Sequence, residues 1–168
     1  MRKYVPFLAG AAAAAGIVTV GPVLGPASAD AAVAAPPAHR TLTIDAVEKG
    51  TAINFVDVAP ADNALGDQLI GTGTLTAPDG RKLGISSFVA VSTSSLPRTA
   101  ELLTFVYDLG GGNKITTAGT ANLSAGSPLF DERFAITGGT GTYKYATGEV
   151  RVVQQTEELA KVTFRVRL

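Results

Sequence analysis

The stretch that decides the fold is Phe134-Ala-Ile-Thr-Gly-Gly-Thr-Gly-Thr-Tyr-Lys-Tyr-Ala-Thr-Gly-Glu-Val150, with Arg151-Val-Val-Gln-Gln155 directly behind it. A short apolar strand, Phe134 to Thr137, runs into Gly138-Gly139-Thr140-Gly141, and an alternating strand resumes at Gly148. Three glycines in four positions allow positive φ and a tight backbone path that residues with a Cβ resist. A phosphate-binding loop would need a helix N-terminus behind those glycines. Thr142 to Gly148 is too short and too rich in β-formers to supply one, so the glycines are expected to turn one strand back on the next.

Working outward, the whole body of the chain repeats with a period of two rather than 3.6. Thr41 to Glu48 alternates polar and apolar residues, Lys49-Gly50 reads as a turn, and Ala52 to Val58 is a second β segment. A loop follows over Ala59 to Gly66, then Asp67 to Thr76 alternates again. Pro78-Asp79-Gly80 carries the residues of a hairpin turn, because Pro fixes φ at the first position and Gly accepts positive φ later. Lys82 to Thr93 returns, and a loop around Pro97 leads to Ala100 to Leu109, the most hydrophobic strand. Gly110-Gly-Gly-Asn113 turns the chain into Lys114 to Leu123, and Ser124 to Asp131 is a loop. Gly148 to Thr156 and Ala160 to Leu168 make the last hairpin. Eight to nine short strands at regular spacing predict an all-β fold, a sandwich or a closed antiparallel barrel, and hairpin following hairpin fits a closed eight-stranded antiparallel up-and-down barrel best. Closure removes the open edge that a terminal strand would otherwise expose. A barrel of this size has room for one small ligand.

The N-terminus reads differently. Arg2 and Lys3 precede an apolar Ala/Gly/Val-rich run from Val5 to Leu24, and Ala27-Ser28-Ala29 offers small residues in the A-x-A arrangement. These are the three parts of a secretory signal peptide, 1–29, with cleavage after Ala29 and a secreted, extracellular product. Gly16, Gly21, Pro22 and Gly25-Pro26 interrupt the run and argue against a retained membrane span. Residues 30–40 form an Ala/Pro-rich linker, leaving 41–168 as one barrel domain. Arg2 and Lys3 go with the leader, so the formal net charge moves from zero to −2. No basic excess is left to attract nucleic acid or anionic lipid.

Missing residue types exclude several chemistries. There is no Cys, and the one His, His39, falls in the linker. A Ser-His-Asp triad, a Cys nucleophile and a His/Cys zinc site therefore have no residues to build them. Asp57, Asp62 and Asp67 bracket one loop but lack the spacing of a calcium loop, so no metal is expected. Asn122-Leu-Ser124 matches a glycosylation triplet, a frequent chance match that matters only in a eukaryotic secretory route.

The ordered set of motifs resembles the allene oxide cyclase and dirigent proteins over roughly Thr41 to Leu168. Asn63-Ala-Leu-Gly-Asp67 is similar to a stretch before the second hairpin of plant allene oxide cyclases. Phe105-Val-Tyr107, a Gly-rich turn and Lys114-Ile-Thr-Thr-Ala-Gly119 are similar to the central hairpin of both groups. Ala135-Ile-Thr-Gly-Gly-Thr-Gly141, with Gly148, Val150 and Gln154-Gln155, is closest to the cyclases. The resemblance implies a calycin-type barrel that uses no cofactor and assembles as a homodimer or homotrimer. It also implies a cavity for a small hydrophobic molecule, whose cyclisation or stereoselective coupling the walls steer. The cyclases place a Glu and an Asn on the first strand, where this chain has Thr43 and Asp45 in the matching register, and a cavity Cys falls at Val89. Dirigent proteins carry an Arg where this chain has Thr147.

Candidate site residues follow from both readings. Asp45 is the candidate catalytic acid: facing a cavity it is a desolvated general acid or base, and facing water it is an ordinary surface acid. Thr43, Asn54, Phe105 and Tyr107 are the candidate ligand-binding residues, with Phe105 and Tyr107 alternating on the most apolar strand. Tyr143 and Tyr145 are expected to pack against the Gly-rich turn, and one of Gln154 and Gln155 to face inward. Two other functions fit the same fold: a non-catalytic barrel that binds a ligand or partner, and a structural cell-surface oligomer filled by its own side chains. A cavity with a polar group at its base separates the first reading from these.

Overall fold

Alternation along the chain builds strands almost everywhere. The computed structural model describes residues 40–168, apart from 59, 61, 62, 96, 97, 125, 126 and 128. The expected leader and nearly all of the linker lie outside the described residues. The strands are β1 (Thr41–Val56), β2 (Gln68–Thr76), β3 (Lys82–Ser92), β4 (Ala100–Asp108), β5 (Lys114–Asn122), β6 (Asp131–Thr140), β7 (Thr147–Gln154) and β8 (Leu159–Arg167). One 3₁₀ turn, Gly141–Tyr143, sits between β6 and β7.

Each strand pairs antiparallel with the next, and β8 pairs back onto β1, closing an eight-stranded up-and-down barrel. The closing register runs from Thr41 opposite Arg167 to Lys49 opposite Leu159. Lys49-Gly50, expected as a turn, is instead part of one long strand. Its first half pairs with β8 and its second half with β2, and the register shifts at Gly50/Ala52 as the strand bends from one neighbour to the other. A backbone hydrogen bond from Gly50 N to Glu158 O, 2.8 Å, anchors the bend. Bulges of this kind increase local twist and let a sheet curl shut.

The period of two sorts the side chains. Leu75, Tyr107, Ile115, Val150, Phe164 and Val166 point inward and fill one end of the barrel with almost no exposed surface. The Gly-rich turn lies at this closed end, where Tyr143 is buried against the core. Tyr145 is exposed, in contrast to the expected packing, and lies under the Lys144 ammonium, 5.1 Å from its ring centre. On the outside of β6, β7 and β8, charges pair across strands: Arg151 Nε donates to Asp131 at 2.7 Å, and Arg133 and Arg165 both meet Glu149. Exposed pairs of this type contribute only tenths of a kcal/mol to about 1 each. They mark which face is wet.

Candidate functional site

The opposite end of the barrel is open and hollow. A cavity of about 470 Å³ descends from it, walled by apolar side chains that include Leu69, Phe88, Ala90, Leu103, Phe105 and Val152. Phe105 stacks on Tyr107 beneath it, with centroids 5.5 Å apart and planes 5° from parallel, and meets Phe88 at 5.7 Å on the other side. Tyr107 in turn stands edge-on to Phe164 at 4.8 Å. This aromatic column separates the cavity from the packed end, which gives the cavity a rigid floor.

One carboxyl enters the cavity wall from β1, and it is not the expected one. Leu42, Ile44 and Ala46 occupy the inner face of β1, and Glu48 follows them two residues on, so alternation carries it inward, where it is 7% exposed. Asp45 and Thr43 occupy the outer face and are exposed; Asp45 accepts a hydrogen bond from Thr163 Oγ1 at 2.9 Å, across the β1–β8 seam. The assignment of a cavity acid to Asp45 is therefore corrected to Glu48. The two positions differ by three, an odd number, and an odd shift exchanges the faces of a strand. Asn54 also faces outward: beyond the bulge the cavity side belongs to residue 53, and Ile53 lines the opening. Phe105 and Tyr107 point inward, and of the two glutamines Gln154 lines the cavity while Gln155 is exposed.

Glu48 is held by its surroundings. Ser86 Oγ, on β3, donates to Glu48 Oε1. The intervening strand β2 makes the reach feasible because it carries Gly73 there. A Cβ at 73 would stand 2.8 Å from Ser86 Oγ and 3.0 Å from Glu48 Oε1. Burial raises the Glu48 pKa above its usual 4.5, and the hydrogen bond from Ser86 offsets part of that rise. With Oε1 occupied by Ser86, a protonated Glu48 has Oε2–H free to donate into the cavity. Tyr107 is paired with Ser86 in the β3–β4 register, and its phenol is fully buried. Burial, and secondarily the Glu48 charge, hold that phenol well above its ordinary pKa, so it stays neutral.

Among the described residues, Tyr107 Oη and Thr117 Oγ1 have no hydrogen-bond partner. An unpaired buried hydroxyl costs about 1–3 kcal/mol of desolvation with nothing in return. Tyr107→Phe is thus expected to leave stability unchanged or raise it by about 1 kcal/mol. Urea unfolding checks this, and a loss of more than about 1 kcal/mol would mean that the hydroxyl has a partner in solution.

At the mouth, the β3–β4 loop supplies Arg98. Its guanidinium reaches Asp67 and Glu101, each at 3.5 Å, and covers the Phe55 ring at 4.9 Å. Burial raises the pKa of Glu101, and Arg98 beside it counteracts the rise. Glu157 and Glu158, on the β7–β8 turn, complete the rim. Among these residues, alternation on β1 pointed to Glu48 once Leu42, Ile44 and Ala46 are taken as the inner face. Arg98, Glu157 and Glu158 lie on loops and carry no periodic signal, whereas Glu101 falls in step with Leu103, Phe105 and Tyr107 on the inner face of β4.

Residues 47–166 match the family model described as allene oxide cyclase barrel like domain. No curated protein matches the chain in sequence. Among solved structures, a pyocyanin demethylase superposes with a TM-score of 0.64 at 21% identity, over 74% of this chain and 99% of that one. An exo-specific intermolecular Diels-Alderase superposes with a TM-score of 0.64 at 13% identity, over 78% and 99% of the two chains. A pterocarpan synthase dirigent protein gives 0.56 at 17% identity, over 83% and 98%. At these identities the likeness is one of fold.

Proposed function

The chain belongs to the allene oxide cyclase barrel-like family, and on that premise we propose that its barrel holds a small hydrophobic molecule and steers its cyclisation or stereoselective coupling without a cofactor. The observation that carries this reading is the Glu48 carboxyl buried in the cavity wall, which unlike the equally buried Glu101 is in no ion pair among the described residues. A purely storage cavity gains nothing from a desolvated acid, which costs stability. The aromatic floor and aliphatic walls fold a flexible ligand into a reactive conformer, and exclusion of water strengthens any hydrogen bond made inside. Glu48 in its neutral form donates from Oε2 to an oxygen of the ligand and withdraws electron density as the new ring bond forms. The proton is polarised rather than spent, so the carboxyl ends the cycle as it began. Related barrels of the same fold include a Diels-Alderase and a dirigent protein, which supports a reaction directed by cavity shape.

The experiment is native mass spectrometry of the purified protein after exposure to a cell extract. A bound molecule that is converted to an isomer or coupled product on incubation supports the proposal. A molecule that stays bound and unchanged would make the barrel a binding module, and repeated absence of any ligand would remove both. The signal peptide and secretion belong to the same proposal and are checked by N-terminal sequencing of the exported protein, with Asp30 expected first.

Filling the cavity gives an independent check. Ala90 is buried on β3 and faces the hollow. Ala90→Phe is expected to keep the fold, because the added ring enters empty space, and to weaken binding of a neutral apolar fluorophore by at least tenfold. Circular dichroism and fluorescence titration read the two effects separately.

A further inference from the structure

The charges around the cavity are lopsided. Among the described residues, five ionisable side chains line it: Glu48, Glu101, Glu157 and Glu158 against the single cation Arg98. Arg98 is already committed, with its guanidinium between Asp67 and Glu101 and its face on Phe55. Glu157 and Glu158 are exposed on the β7–β8 turn and have no ion-pair partner among the described residues. We propose that the mouth selects its ligand by charge: it admits neutral and amine-bearing apolar molecules and rejects carboxylates. This rests on the reading of the cavity as a ligand site and narrows the class of molecule that enters it.

The physics is direct. An apolar ligand seated among Leu69, Phe88 and Leu103 leaves its polar head at the rim. There a carboxylate loses water, finds no free cation and meets two like charges; an ammonium meets the same charges with the opposite sign. Partial desolvation at a concave rim makes such interactions stronger than on a flat surface. Like-charge contacts of this kind set selectivity more than they set overall affinity.

The test uses three probes of one chain length, dodecanol, dodecylamine and dodecanoate, each below its micelle concentration. They displace the neutral fluorophore N-phenyl-1-naphthylamine at neutral pH and low salt. Dodecanol and dodecylamine are expected to displace it, and dodecanoate to require at least about tenfold more. In the double variant Glu157→Gln, Glu158→Gln the amine–carboxylate gap is expected to shrink to about threefold or less. Dodecanoate within threefold of dodecylamine on the unaltered protein would overturn the inference, as would a gap that the double variant leaves unchanged. Arg98→Ala guards against a hidden receptor: a marked loss of dodecanoate binding in that variant would show Arg98 serving carboxylates and would also overturn it. If dodecanol itself fails to displace the fluorophore, the cavity reading falls, and the charge rule with it.

Discussion

Gly148→Ala is expected to lose at least about 3 kcal/mol of stability, a drop in Tm of about 10 °C. Gly148 is the second residue of β7, with φ at +125°, a conformation that residues with a Cβ rarely adopt. It also lies against β8, opposite Val166, so closely that an added Cβ would stand 2.1 Å from the Arg165 carbonyl oxygen. That neighbour is backbone inside a strand ladder and cannot swing aside. Gly80 provides the control: its φ is +85°, but nothing lies within 4 Å of its would-be Cβ. Gly80→Ala is therefore expected to cost only the conformational strain, about 1 kcal/mol. Differential scanning calorimetry of the two variants separates the terms. Equal losses would show that positive φ, and not the close approach of β7 to β8, is what Gly148 serves.

This prediction places the Gly-rich stretch in its proper role. The residues from Gly138 to Gly148 sit at the closed end of the barrel, with Tyr143 packed inward, and none of them lines the cavity. Motif and chemistry are at opposite ends of the molecule. A turn motif is legible in sequence because glycine and turn geometry are bound together locally. The period of two is equally local, so the strands follow from it, and their closure follows from the succession of hairpins and the edge it would otherwise leave open. The long β1 shows where that reasoning stops: Lys49-Gly50 has turn residues, yet pairing with β8 on one side and β2 on the other keeps the strand extended through them. Tertiary pairing overrides local preference there.

The site was legible only in part, for a related reason. Alternation fixes which residues share a face but not which face is inside. On β1 the polar residues Thr43 and Asp45 suggested a cavity wall to the family comparison, while the apolar residues on the other face are the ones that pack. The physical clue was Glu48, the charged residue that falls in step with Leu42, Ile44 and Ala46. A carboxyl on an apolar face is costly to bury, so its position there points to use. At the mouth only Glu101 gives such a clue, in step with Leu103 and Phe105 on β4; its shared contact with Asp67 through Arg98 forms only once two separate segments are folded together.

Glu48→Gln is expected to make the protein more stable and to cripple the proposed cyclisation or coupling, and the pairing of these outcomes is what identifies a working acid. The folded state raises the Glu48 pKa, mainly by burial. The native protein therefore holds the proton more tightly than the unfolded chain does. Unfolding stability falls as pH rises from about 4.5, the unfolded value, through the raised folded value, and the deficit persists above it. Each unit of that rise corresponds to about 1.4 kcal/mol. Glutamine keeps the shape and a hydrogen-bond acceptor for Ser86 but never ionises. Its stability advantage should therefore vanish at acid pH and grow to a plateau above the window in which Glu48 ionises, read from urea unfolding at several pH values. Catalysis should move the other way. Removing a positioned proton donor lowers turnover by about 10²–10⁴-fold, measured on the substrate recovered by native mass spectrometry, while displacement of N-phenyl-1-naphthylamine by dodecanol stays within twofold. A purely structural acid gives a different pattern, with stability lost at neutral pH because the amide accepts a weaker hydrogen bond from Ser86 than a carboxylate does, and no separate effect on turnover. A Glu48→Gln variant that is less stable than the unaltered protein at neutral pH would remove Glu48 from the mechanism.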